Sequence, residues 1–154
     1  GIYGLSRIQI RQKIAQLIEE LELQEVANNL VGSLPLGWKQ KLSFSVALLH
    51  EPKIVFLDEP TGGVDPITRR QFWEMIYTQA YKGTTIFVTT HYMDEAEYCD
   101  RVALIYQSEN IATGTPDELK QMVTSKELPD PTLEDTFITL IEQTNAKQSN
   151  GVNP

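Results

Sequence analysis

A chain of 154 residues with 41% hydrophobic and 22% charged residues has the composition of an ordinary soluble domain and enough length to bury a core. No apolar run reaches the ~18 residues that a membrane span needs. A formal net charge of -8 argues against nucleic acid as the main partner, because phosphate backbones are held by clustered lysine and arginine. The single cysteine, Cys99, has no internal disulfide partner and reads as a small thiol in a reducing, cytoplasmic compartment.

The opening "GIYGLSRIQIRQ" lacks an initiating Met and a signal peptide's apolar middle, and reads as though cut from a longer chain. Ser6 and Gln9 have capping-box spacing, and Ile10, Ile14, Leu17, Ile18 and Leu21 share one helical face, which predicts an amphipathic helix over 7–24. "GSLPLGWKQ" is dense in glycine and proline and predicts a loop. That loop feeds a helix patterned by Leu42, Val46 and Leu49 and stopped by Pro52.

The run Ile54–Leu57 has no alternation, as expected of a parallel strand covered on both faces. Asp65 and Pro66 are an N-cap and N1 pair that opens a helix to Tyr81, with Phe72, Trp73, Ile76 and Ala80 facing inward. "TTIFVTT", 84–90, is a second buried strand. Strand, helix, strand in this order implies a crossover and an α/β sheet. Beyond it "MDEAEYC" reads as a short helix and "RVALIYQ" as a strand, with "SEN" a tight turn into "IATG". Pro116–Val123 is predicted helical, as is a segment near Leu133–Ile141, and the polar end "NAKQSNGVNP" is predicted disordered.

In open α/β sheets ligands lie beyond the carboxyl ends of the strands, which is where Asp58, the first polar residue after "IVFL", falls. Two uses fit it. It can cap the turn "EPTGG", or it can hold a hydrated magnesium ion while the adjacent Glu59 orients and deprotonates a water for attack on phosphorus. His91 ends the second strand's "TTH", and a neutral imidazole there can meet a terminal phosphate oxygen or the attacking water. Singly, His91 reads as structural; beside "LDEP" the phosphate reading is the stronger.

"IVFLDEPTGGVDP" and "TIFVTTHYMDEAEYCDRVALI" resemble the Walker B to D-loop and switch-histidine segments of ABC transporter ATPases. "GTPDELK" and "PTLEDTFITLI" resemble the end of the catalytic domain and the C-terminal helix of ATPase subunits of bacterial drug and polysaccharide exporters. The resemblance implies an α/β fold that is part of a P-loop NTPase domain, a parallel sheet flanked by helices and lacking the Walker A strand. It implies ATP and Mg2+ as ligands, Asp58 as the magnesium residue, Glu59 as general base, Asp65 as the D-loop aspartate that communicates across a dimer, and His91 as the switch histidine. It divides the chain into 1–50 (end of the helical subdomain, with the signature loop), 51–123 (Walker B to switch histidine) and 124–154 (C-terminal helix and polar tail).

The chain departs from the family's pattern twice. The signature loop falls on "LPLGW", where Leu34 and Gly37 match while Pro35, Leu36 and Trp38 replace serine, glycine and glutamine; Lys39, Gln40 and Lys41 keep the polar continuation. The expectation is a working but altered cap on the terminal phosphate bound by a partner subunit, with Gly37 letting the backbone approach. "LPLGW" also reads as a turn packed by Trp38.

The second departure is the lack of any Gly-Lys pair, and hence of a P-loop. The expectation is therefore the later part of a nucleotide-binding domain, inactive alone, with apolar sheet surface uncovered. The resemblance implies as partners a second ABC ATPase domain and separate transmembrane permease subunits on the inner face of the membrane, and no nucleic acid. A non-hydrolytic module that pairs with a complete ABC ATPase is the competing expectation. An ABC-type ATPase of DNA repair or translation is a third, weakened by the acidic charge.

Overall fold

A computed structural model describes residues 6–20, 24 and 26–151, and the chain forms two compact units, 1–89 and 90–154.

In the first unit, helix α1 (Arg7–Glu20) starts at the expected capping box. Ser6 N–H donates to Gln9 Oε1 at 2.8 Å and Gln9 N–H to Ser6 Oγ at 3.3 Å, so two donors that a helix start leaves unpaired are satisfied locally. Gln24 lies in a turn, and 21–23 of the predicted helix lie outside the described residues. Leu17 and Ile18 are half-buried, but Ile10 and Ile14 remain exposed. The apolar stripe is thus only partly covered.

The predicted loop "GSLPLGWKQ" is ordered differently. A 3-10 turn (Val31–Ser33) is followed by extended Leu34 and Pro35, and helix α2 (Leu36–Leu48) begins inside "LPLGW" with Pro35 as its N-cap. Proline is compatible with a helix start because the missing N–H costs nothing there. The buried residues of α2 are Phe44 and Ser45, whereas Val46 is exposed and Leu42 and Leu49 are half-buried. Packing on the next helix, α3 (Pro66–Tyr81), selects that face: the rings of Phe44 and Phe72 lie 5.3 Å apart at 43°.

Strand β1 (Ile54–Asp58) pairs in parallel with β2 (Thr85–Thr89), in register from Ile54 with Thr85 to Asp58 with Thr89. Helix α3 joins them and buries Phe72, Trp73 and Ile76 as predicted, while Ala80 is exposed. Gly83, at φ +94, follows its end, in the left-handed backbone that glycine takes without steric cost. The expectation that β1 is covered on both faces is corrected. Val55 is buried, but Phe56 is 77% and Phe87 55% exposed, and their rings stack at 5.2 Å. The uncovered apolar sheet surface therefore centres on this pair.

In the second unit, α4 (Met93–Ala96) precedes an antiparallel hairpin of β3 (Val102–Tyr106) and β4 (Glu109–Gly114). Its turn is Gln107–Ser108, both at positive φ (49 and 64), rather than "SEN". A mirror-image turn of this kind follows the strand twist and is ordinarily made by Asn-Gly, which is why its register is hard to read from Gln-Ser. Helix α5 (Pro116–Gln121) opens on a reciprocal box between Thr115 and Glu118.

Helix α6 (Leu133–Gly151) overturns the expected disorder over much of 145–154; only 152–154 lie outside the described residues. No proline or glycine interrupts 133–150, and Asn145 Nδ2 reaches the Tyr106 hydroxyl at 3.4 Å, so the polar end continues a helix already nucleated and tethered. Ala96, Val102, Leu104, Leu119 and Leu133 form this unit's core.

Candidate functional site

The two acids stand where β1 stops. Asp58 is the last residue of the strand and pairs in register with Thr89, whose hydroxyl donates to Asp58 Oδ1. Glu59 N–H donates to Thr89 O at 3.0 Å and lies 3.2 Å from Thr89 Oγ1. Glu59 itself sits at φ 43, left-handed backbone that a non-glycine residue adopts only where its surroundings compel it. Here Gly62 N–H donates back to Glu59 O at 3.1 Å, closing the turn over buried Pro60 and Thr61. The turn breaks the strand's direction between the two acids, so adjacent carboxylates can take separate tasks at one strand mouth.

Both acids are exposed. Among the described residues no cluster of three or more His, Cys, Asp or Glu could hold a metal ion. Magnesium is ordinarily held by one or two carboxylates with waters and substrate phosphates supplying the rest. An open aspartate whose other oxygen is fixed by a hydroxyl fits that coordination. Thr89 is the residue that sequence reasoning missed, and its signal was available as the polar end of the second apolar strand.

A second group of residues lines a cleft. This cleft, of about 400 Å³, is bounded by Pro35, Leu36, Gly37, Trp38, Lys41 and Asp65, among others, and neither Asp58 nor Glu59 lines it. The structure thereby joins four of the predicted signature residues to the predicted D-loop aspartate. Leu34 is buried, and Gln40 Nε2 reaches Gly62 O at 3.3 Å. The backbone N–H of Lys39 donates to Pro35 O at 3.1 Å within the first turn of α2.

No acidic residue stands in that first turn, and no side chain caps it. Its N–H groups therefore carry partial positive charge toward an anion. Lys41 adds a cation, its Nζ donating to Gln71 Oε1 at 2.6 Å and lying 5.3 Å from the Trp38 ring centroid. The cleft therefore presents the α2 N–H groups and the Lys41 ammonium together with the Asp65 carboxylate. Lys41 thus lines the cleft beside them; its basic continuation of "LPLGW" was the legible signal.

Asp65 caps α3. Its Oδ1 accepts from Ile67 N–H and Thr68 N–H, both at 3.0 Å, and its Oδ2 from the Thr68 hydroxyl. These bonds, the hydroxyl's foremost, hold its carboxyl below the ordinary carboxylate range.

His91 belongs to the second unit, in the turn between β2 and α4. Its ring lies 4.1 Å from that of Tyr92, and its backbone is held on both sides. The Thr90 hydroxyl donates to Glu95 Oε2 at 2.9 Å and accepts from Tyr92 N–H at 3.0 Å. Glu95 is wholly buried, which anchors the bracing.

The ABC transporter family profile matches residues 5–62. The probable multidrug ABC transporter ATP-binding protein YbhF of Escherichia coli (strain K12) is 50% identical over 150 residues, covering 97% of this chain and 26% of its own length. The chain belongs to the ABC transporter ATP-binding family. The Nod factor export ATP-binding protein I of Burkholderia orbicola (strain AU 1054) is 40% identical over 118 residues, 76% of this chain and 39% of that protein. The chain thus spans from about a quarter to two fifths of these ABC relatives. Among solved structures, an ATP binding subunit of an ABC transporter superposes with TM-score 0.74 at 28% identity, over 90% of this chain and 57% of that one. CbiO1 of Clostridium perfringens, part of the ABC transporter complex cbiONQ, gives 0.66 at 28% identity over 75% and 47%. The α/β fold, with its parallel strand pair and helices, is that of the ABC ATPases' P-loop NTPase domain.

Proposed function

We propose that this chain carries the catalytic carboxylates and the phosphate-capping loop of an ATP-hydrolysing ABC subunit, with exporters as its transporter class. The observation that carries the reading is the Thr89-braced strand end, which offers Asp58 and Glu59 side by side at a turn strained at Glu59. Asp58 would hold Mg2+, which when bound neutralises charge on the phosphate oxygens. Glu59 accepts a proton from the attacking water as general base, and His91 contacts the terminal phosphate.

That neither acid lines the "LPLGW" cleft supports a cap given to a nucleotide on a second ATPase domain, with Asp65 at the shared border. In this reading 1–50 contributes the cap, 51–123 the acids and histidine, and 124–154 the closing helix. ATP-driven closure of the pair and hydrolytic reopening drive separate permease subunits at the inner face of the membrane. Among the described residues no helix is long and apolar enough to cross it. The phosphate-cradling loop comes from sequence outside these residues, so the 154-residue chain alone does not turn over ATP.

The test uses the full-length native protein. Glu59→Gln should lower kcat by roughly 10²-fold or more while MgATP binding persists. Undiminished turnover in that variant would remove Glu59 from the mechanism, and a native protein with no turnover would favour the non-hydrolytic pairing module.

A further inference from the structure

The start of α2 meets the loop before α3 and the first turn of α3 at three places. Gln40 Nε2 donates to Gly62 O at 3.3 Å. Leu36 Cδ2 lies 3.3 Å from where a Cβ on Gly63 would stand. A Cβ on Gly37 would fall 2.4 Å from Thr68 Cγ2, with Thr68 Cβ and Oγ1 at 3.4 Å. The first of those distances is far inside van der Waals contact, and the other two are tight but tolerable. Thr68 therefore occupies the space of the missing side chain with its methyl, while its hydroxyl and N–H hold Asp65.

We propose that Gly37 is glycine because Thr68 packs against it, and that Thr68 is a positioning residue which fixes the "LPLGW" turn to Asp65 as one rigid piece. The assignment rests on the reading of this cleft as a phosphate cap. It changes what Gly37 does there: the glycine serves the helix contact, and the anion is left to the N–H groups of the turn and to Lys41. It also supplies the coupling that a cap and a dimer-border aspartate need, since neither can shift without the other.

Substitutions at the two positions separate the methyl from the hydroxyl. Gly37→Ala overpacks the contact and should lower Tm by about 5 °C. Thr68→Ser keeps the hydroxyl, removes the offending methyl, and should restore most of that loss when combined with Gly37→Ala. A double variant no more stable than Gly37→Ala alone would overturn the packing assignment. Thr68→Ala should move the acid limb of unfolding to higher pH, because Asp65 loses its foremost donor, whereas Thr68→Ser should not. In the full-length native protein, Thr68→Ala should also lower kcat about tenfold with KM little changed, and Thr68→Ser should recover it. Serine behaving like alanine in the acid limb would overturn the positioning role. The thermal and acid measurements need no catalysis, so a native protein that hydrolyses no ATP would defeat the proposed function while these two readouts still decided the Gly37–Thr68–Asp65 linkage.

Discussion

Asp65 accepts three hydrogen bonds at the start of α3, from the Thr68 hydroxyl and the Thr68 and Ile67 N–H groups, and its carboxyl is held below the ordinary carboxylate range as a result. A carboxyl depressed in the folded state stabilises above its unfolded pKa, about 3.9, and that contribution is lost as pH falls through the lower folded value. Asp65→Ala should therefore lower Tm at about pH 7, and its gap from the parent should close as the pH is taken below about 4. Thermal melts from about pH 7 to about pH 3 check this, and a gap constant across the range would show that Asp65 contributes nothing through its charge. At this scale the sequence marked Asp58, Glu59, Asp65 and the "LPLGW" segment, because acids after an apolar run and a stretch dense in proline and glycine are local patterns. Thr89 and Thr68 escaped it. Each acts only on a neighbour brought by pairing or helix packing, Thr89 from the adjacent strand and Thr68 from the helix that meets Gly37.

Helix ends in this chain follow local chemistry closely. Thr115 N–H donates to Glu118 Oε2 at 2.8 Å, and Glu118 N–H returns a bond to Thr115 Oγ1 at 3.1 Å. Thr115→Ala should cost about 1 kcal/mol, measurable as a lower denaturation midpoint with unchanged slope; no shift would mean that α5 is held by the burial of Leu119 alone. The same local logic makes the starts of α1 and α3 legible in the sequence. It misplaces the start of α2, where a proline N-cap stands without side-chain help, and the end of α6, where polar residues continue a helix that a distant tyrosine tethers. The Gln107–Ser108 turn is hidden for a related reason. Neither residue advertises the left-handed backbone that the hairpin's twist imposes.

Over the whole chain, the bare face of the parallel sheet departs from the cover that the apolar run of β1 predicts, and agrees with the uncovered sheet surface expected from the lack of a P-loop. Ile54, Phe56 and Phe87 are exposed there, and two stacked aromatic rings in water mark a surface that favours association. Phe56→Ser with Phe87→Ser should keep the 154-residue chain monomeric at concentrations where the parent self-associates, as read by light scattering. Equal association of both would place the sticky surface elsewhere, for instance on the exposed stripe of α1. By itself the sequence determined the order of the elements, most helix starts, the two acids at the strand end and the family resemblance. Each of these depends on residues adjacent or a few positions apart along the chain. Tertiary structure alone decided that Thr89 braces Asp58, that Thr68 fills the space beside Gly37, and that the open sheet face centres on Phe56 and Phe87. Those outcomes depend on which distant residues meet, and a run of apolar side chains states a preference for cover without saying whether any neighbour supplies it.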